Sequence, residues 1–246
     1  MPTLGEFRDI ITTSPELERL SIVGWGPRLL DASGGTSSQE NVLPRVMIIP
    51  KLTKFCFGFV DVEYAVKLLS LFNLPSLQKL ELEDVAAIVD PMGSSDASAI
   101  LAPFGGSFFY PLHQVECLDL RSIRSNSEMA FINFFRCLSS LKDLSLMDID
   151  STLLSSLGPP SNLSMPYPLP QLVHLVCRRL DAKTLAAVLS ARAEYAARSG
   201  LQPLQSVQFE LDRSDVDNGL SSVLSDEDRN ALMNTGVELM IHLNDV

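Results

Sequence analysis

The sequence has only three histidines, four cysteines and one tryptophan. His113, His174 and His242 are widely separated, so neither a two-histidine zinc helix nor a nucleophile–histidine pair has a sequence basis. Cys56, Cys117, Cys137 and Cys177 lack paired metal-ligand spacing, and this makes them reduced structural thiols. No apolar run reaches membrane-spanning length, and residues 1–8 have neither the basic start nor the apolar core of a secretion signal. These absences predict an intracellular chain, cytoplasmic or nuclear, with no membrane partner. Basic charge is also scarce: 19 Lys and Arg stand against 30 Asp and Glu, a net −11 that repels phosphates and excludes nucleic acid as an expected partner. Gly34-Gly35-Thr36 and Gly105-Gly106-Ser107 lack the lysine of a phosphate cradle. Asp212, Asp215, Asp217 and Gly219 miss a calcium loop, since counting back from the glycine puts Ser214 and Val216 where the first ligands belong. No metal, cofactor or catalytic residue is expected.

What the chain does have is a repeated spacing, apolar-x-x-apolar-x-apolar-x-x-apolar. It is met by Leu17/Leu20/Ile22/Trp25, Leu52/Phe55/Phe57/Val60, Leu77/Leu80/Leu82/Val85, Val115/Leu118/Leu120/Ile123, Leu141/Leu144/Leu146/Ile149 and Leu172/Leu175/Cys177/Leu180. Leu204/Val207/Phe209/Asp212 matches with its last position polar. The starts lie 35, 25, 38, 26, 31 and 32 residues apart, the length class of stacked arrays. The strict alternation in the middle of each motif predicts a short strand with one apolar face. Such a strand-then-helix unit cannot bury that face alone and must stack on copies of itself, making one domain of about seven to eight units over residues 1–246.

Between the strands, Leu4, Phe7, Ile10 and Ile11 predict a first helix that Pro15 ends, and Trp25 is expected to pack at the end of the array. Residues 26–44 and 86–111 predict loops, the second with only one or two helical turns near Asp96–Leu101 before Pro103, Gly105, Gly106 and Pro111. Asp61 opens a helix that Asn73 and Pro75 terminate. Met129, Ile132, Phe135 and Leu138 give an apolar stripe that Phe131 and Phe134 widen. Residues 152–157 make a short helix before a proline-rich loop to Pro170. The clearest helix runs from Asp181 as N-cap, through Leu185, Val188, Leu189, Tyr195 and Ala196, to Gly200. A capping box at Ser225 and Asp228 opens the last helix, and Val237–Leu243 is the closing strand.

The segments Leu74-Pro75-Ser76-Leu77-Gln78-Lys79-Leu80-Glu81-Leu82, Leu138-Ser139-Ser140-Leu141-Lys142-Asp143-Leu144-Ser145-Leu146 and Leu169-Pro170-Gln171-Leu172-Val173-His174-Leu175 resemble the irregular leucine-rich repeats of fungal F-box proteins, where a Leu-Pro-x-Leu lead-in precedes many strands. The resemblance implies an α/β fold, an open leucine-rich-repeat solenoid or horseshoe with a parallel concave sheet and helices and loops on the convex side. It implies a non-catalytic protein-interaction module, the substrate-recognition part of an F-box-type ubiquitin-ligase subunit. Adaptor and cullin would join only through an F-box outside these residues. Glu81, Glu83, Asp119, Arg121, Asp143, His174 and Arg178, on the strands' polar positions, are the expected partner footprint on the concave face. Two alternatives stand beside this reading: a scaffold of the same fold unrelated to ubiquitin, and a closed βα-barrel enzyme. Charged residues alternating with core leucines favour an open sheet over a barrel.

Overall fold

A computed structural model describes residues 1–29, 46–89, 96–106, 111–159, 166–212, 225–234 and 236–244. Much of the 26–44 loop, parts of the 86–111 and proline-rich loops and residues 213–224, with Asp215, Asp217 and Gly219, lie outside the described residues. The described strands are β1 (Arg19–Val23), β2 (Met47–Ile48), β3 (Lys54–Phe59), β4 (Phe72–Asn73), β5 (Lys79–Asp84), β6 (Cys117–Arg121), β7 (Asp143–Met147), β8 (His174–Arg178), β9 (Ser206–Asp212) and β10 (Glu238–Asn244). The described helices are α1 (Leu4–Thr12), α2 (Val62–Leu69), α3 (Val85–Val89), α4 (Ser98–Gly106), α5 (Glu128–Cys137), α6 (Ser151–Ser156), α7 (Ala182–Ser199) and α8 (Asp226–Asn234).

Eight strands form one parallel sheet in the order β1-β3-β5-β6-β7-β8-β9-β10, each beside its successor in the chain. β1 and β10 are free edges, so the sheet is not closed, which removes the barrel alternative. β2 and β4 pair separately as a two-stranded ribbon that the repeat spacing does not announce.

Four local devices recur from unit to unit. A turn closes before five of the strands as the N–H of the lead-in residue donates to the carbonyl three positions back. This joins Leu52 to Ile49, Leu77 to Leu74, Val115 to Leu112, Leu141 to Leu138 and Leu172 to Leu169. Both ends of these turns are buried, which is why the lead-in demands apolar residues at that spacing. Next, the carbonyl just before one strand accepts two N–H groups from the following unit. Thr53 and Lys54 donate to Glu18, Gln78 and Lys79 to Thr53, and Lys142 and Asp143 to Glu116. Beyond several strands the chain turns sharply at positive φ, at Gly24, Ser122, Asp148 and Arg179. Helices then start on side-chain caps: Asp61 accepts from Tyr64 N–H (2.6 Å), Ser127 from Ala130 N–H (3.3 Å) and Asp150 from Leu153 N–H (2.9 Å).

Register stacks like on like on one face. Phe55, Leu80, Leu118, Leu144, Leu175 and Val207 are successive partners, as are Phe57, Leu82, Leu120, Leu146, Cys177 and Phe209. All are buried and belong to one continuous cluster with residues of the helices. Each such side chain contributes roughly 1.5–3 kcal/mol of burial.

Several expectations are corrected. Residues 102–106, expected to be irregular, continue α4, because burying Ile100, Leu101 and Phe104 outweighs the proline's lost hydrogen bond. In α5 the buried face is Phe131, Phe134, Phe135 and, just beyond, Leu138, while Met129 is exposed. The larger phenylalanines decide the helix's rotation. Trp25, beside the edge strand β1, is 57% exposed and packs only edge-on against Tyr64 (5.6 Å between ring centroids). Arg192 lies buried in the stripe of α7, donating to the carbonyls of Leu157, Pro168 (3.1 Å) and Leu169 beneath the Tyr167 ring (4.7 Å). Asp84 is fully buried at the end of β5, where its carboxylate accepts from Ala86 and Ala87 N–H at the start of α3.

Candidate functional site

The residues that alternate with the buried leucines form the other face of the sheet, and register arranges them in three rows. Nearest the strand starts, Arg19, Lys54 and Lys79 are successive partners, followed by Cys117, Asp143, His174 and Ser206. The middle row runs Ser21, Cys56, Glu81, Asp119, Ser145 and Val176. The third includes Glu83, Arg121, Met147 and Arg178, ending beside Glu210.

All seven residues expected in a partner footprint therefore share this face. Glu81 and Asp119 are register partners, as are Glu83 and Arg121, and Asp143 and His174; Met147 separates Arg121 from Arg178.

The charges are not displayed evenly. Glu81 accepts from Lys54 Nζ (2.8 Å) and Lys79 Nζ (3.1 Å), Asp119 from Arg121 Nη2 (2.7 Å), and Glu210 from Arg178. In each group the acid lies behind and the cation in front: side-chain exposure is 16% for Glu81 against 36% and 42% for its lysines, 13% for Asp119 against 43%, and 11% for Glu210 against 44%. Geometry explains this inversion in a chain of net −11, because long basic side chains reach over short acids fixed to the strand. Burial pushes the Glu81 carboxyl up, but hydrogen bonds and charge from Lys54 and Lys79 outweigh it and hold the group below its ordinary value. The hydrogen bond with Asp119 drives the Arg121 guanidinium up and outweighs the opposing effect of its burial.

Both thiols on this face are held in the protonated form. Burial, then the Asp143 carboxylate, pushes the Cys117 thiol up, and burial does the same for Cys56, keeping both protonated at neutral pH. His174 Nδ1 lies 2.8 Å from Ser206 Oγ, while its neighbour Asp143 accepts from Cys117 Sγ (3.4 Å). Among the described residues these groups therefore do not link into the acid–imidazole–hydroxyl relay that an activated serine requires. No group of three His, Cys, Asp or Glu among the described residues is placed to hold a metal ion, and no described helix is long and apolar enough to cross a membrane.

Arg19, Lys54 and Lys79, which are outside the expected footprint, stand on the same face as it. Each immediately precedes the second apolar position of its unit, so aligning the first three motifs would have placed them in one row. No family model matches the chain, and no curated protein matches it in sequence.

Proposed function

We propose that this chain is an open leucine-rich-repeat solenoid, a single domain over residues 1–246, whose polar sheet face binds a protein partner and catalyses nothing. The observation that carries this reading is the polar face, which no described element covers: charged side chains stand in register across consecutive strands, while the opposite face is packed under helices. Strands lie about 4.8 Å apart, whereas packed helices need about 8–10 Å, so stacking such units bends the helix side outward and leaves the polar face concave. A concave face with outward cations and few apolar groups suits selective, polar recognition of another protein.

The fuller form of the proposal is substrate recognition for an F-box-type ubiquitin ligase inside the cell, with adaptor and cullin engaged through an F-box beyond these residues. Photo-crosslinking residues installed at Ser145 and Val176, and at Met129 on the helix side, test the basic claim. The two polar-face positions are expected to capture the same protein in cells, and Met129 is expected not to. Capture from Met129 alone would overturn the reading. Co-purification of adaptor and cullin with the full gene product supports the ligase form; capture by the polar face without them leaves the plain scaffold.

A further inference from the structure

Arg19, Lys54 and Lys79 are cross-strand partners on β1, β3 and β5, so three basic side chains leave neighbouring strands about 4.8 Å apart in one row. Like charges directly opposite one another destabilise a sheet. One carboxylate, Glu81, serves both lysines, and among the described residues no acid lies within ion-pair distance of Arg19. Glu116, an acid that borders the row, is held by Lys142 at 2.9 Å. The row therefore keeps an excess of two positive charges at a single corner of an acidic protein. An open groove of about 380 Å³ runs along it, and Thr53 and the exposed Gln78 add neutral hydrogen-bonding groups between the cations.

We infer that this groove is the docking site for an acidic segment of the partner protein, an extended peptide whose Asp or Glu carboxylates bridge Arg19, Lys54 and Lys79. The inference rests on the polar face being the binding face and names the chemistry that one end of it takes. Repulsion within the row is relieved when carboxylates enter, and the long Arg and Lys side chains, rooted about 4.8 Å apart, can splay to meet alternate side chains of an extended peptide, about 6.6 Å apart. Farther along the same row Asp143 carries the opposite sign, so the acidic end of the partner lies over β1, β3 and β5.

The test uses the complete chain and a fluorescein-labelled hexaglutamate peptide, with hexaglutamine and hexauridylate as comparison probes, read by anisotropy. Hexaglutamate is expected to bind and to be released by salt, and hexaglutamine is not. Arg19→Gln is expected to weaken hexaglutamate by about tenfold. The combined Lys54→Gln, Lys79→Gln, Glu81→Gln variant removes the cations without stranding the acid, and is expected to lose at least as much. Lys67→Gln, which removes one positive charge on α2, is expected to change nothing. No binding of hexaglutamate, tighter binding of hexauridylate, or equal loss in Lys67→Gln would overturn the assignment. If crosslinking at Ser145 and Val176 still captures one partner in that event, the binding face stands and only its acidic-peptide end falls.

Discussion

The two faces of the same strands obey opposite rules. On the packed face a residue's register neighbour is nearly its copy, Leu80 beside Leu118 beside Leu144, because each fills the same space above the same helix layer. On the polar face neighbours differ in sign, size and function, as with Lys79 beside Cys117 beside Asp143. Repetition is enforced where volume must be conserved and relaxed where water or a partner is the neighbour. Architecture is thus written many times over in this chain, whereas binding specificity is written once.

The sharpest way to break that contrast is to exchange the faces. Leu120→Asp removes roughly 1.5–3 kcal/mol of burial and leaves a carboxylate unpaired among leucines, so its cooperative thermal transition is expected to disappear. Ser145→Leu, one strand away on the polar side, is expected to melt within a few degrees of the parent. Equal melting temperatures for Leu120→Asp and the parent would show that the assigned register is wrong.

A gentler comparison uses one substitution on both faces. Cys177→Ser places a hydroxyl where the side chain is enclosed by the core, and is expected to cost about 1–3 kcal/mol in urea unfolding. Cys117→Ser puts the same hydroxyl beside Asp143, which already accepts from the thiol, and is expected to stay within about 0.5 kcal/mol of the parent. Similar losses at both positions would mean that the polar face is as tightly packed as the core.

The same contrast explains what was legible beforehand. Strand positions, the Asp61 and Asp181 caps and the Gly200 stop, which takes φ 67°, follow from local rules repeated in the chain. The rotation of α5 was not legible, because Met129 and Phe131 satisfy the same helical period and only the available volume chooses between them. Arg192 was missed because charge argues against burial until the carbonyls of the 166–169 segment are known to converge on it. On the polar face all seven expected residues could be placed, but their pairing could not. That Glu81 sits behind two lysines depends on side chains from two strands, β3 and β5, meeting at one point, and no single repeat contains this information.

The smallest expected effect concerns that same carboxylate. Its folded pKa is held below the ordinary 4.5, so Glu81 contributes stability that is fully present above that pH and is lost as pH falls through the lowered value. With Lys54→Gln and Lys79→Gln together, the burial that pushes the carboxyl up is left unopposed and the sign reverses: ionised Glu81 then costs stability, and protonation on acidification recovers it. Melting temperatures of parent and double variant are therefore expected to differ most near neutral pH and to converge as pH falls below 4.5 and through the lowered value. Adding Glu81→Gln to both should abolish the convergence. A gap between parent and double variant that stays constant with pH would mean that the lysines stabilise the sheet by packing their stems rather than by holding this charge, and the polar face would then share more of the core's rule than its chemistry suggests.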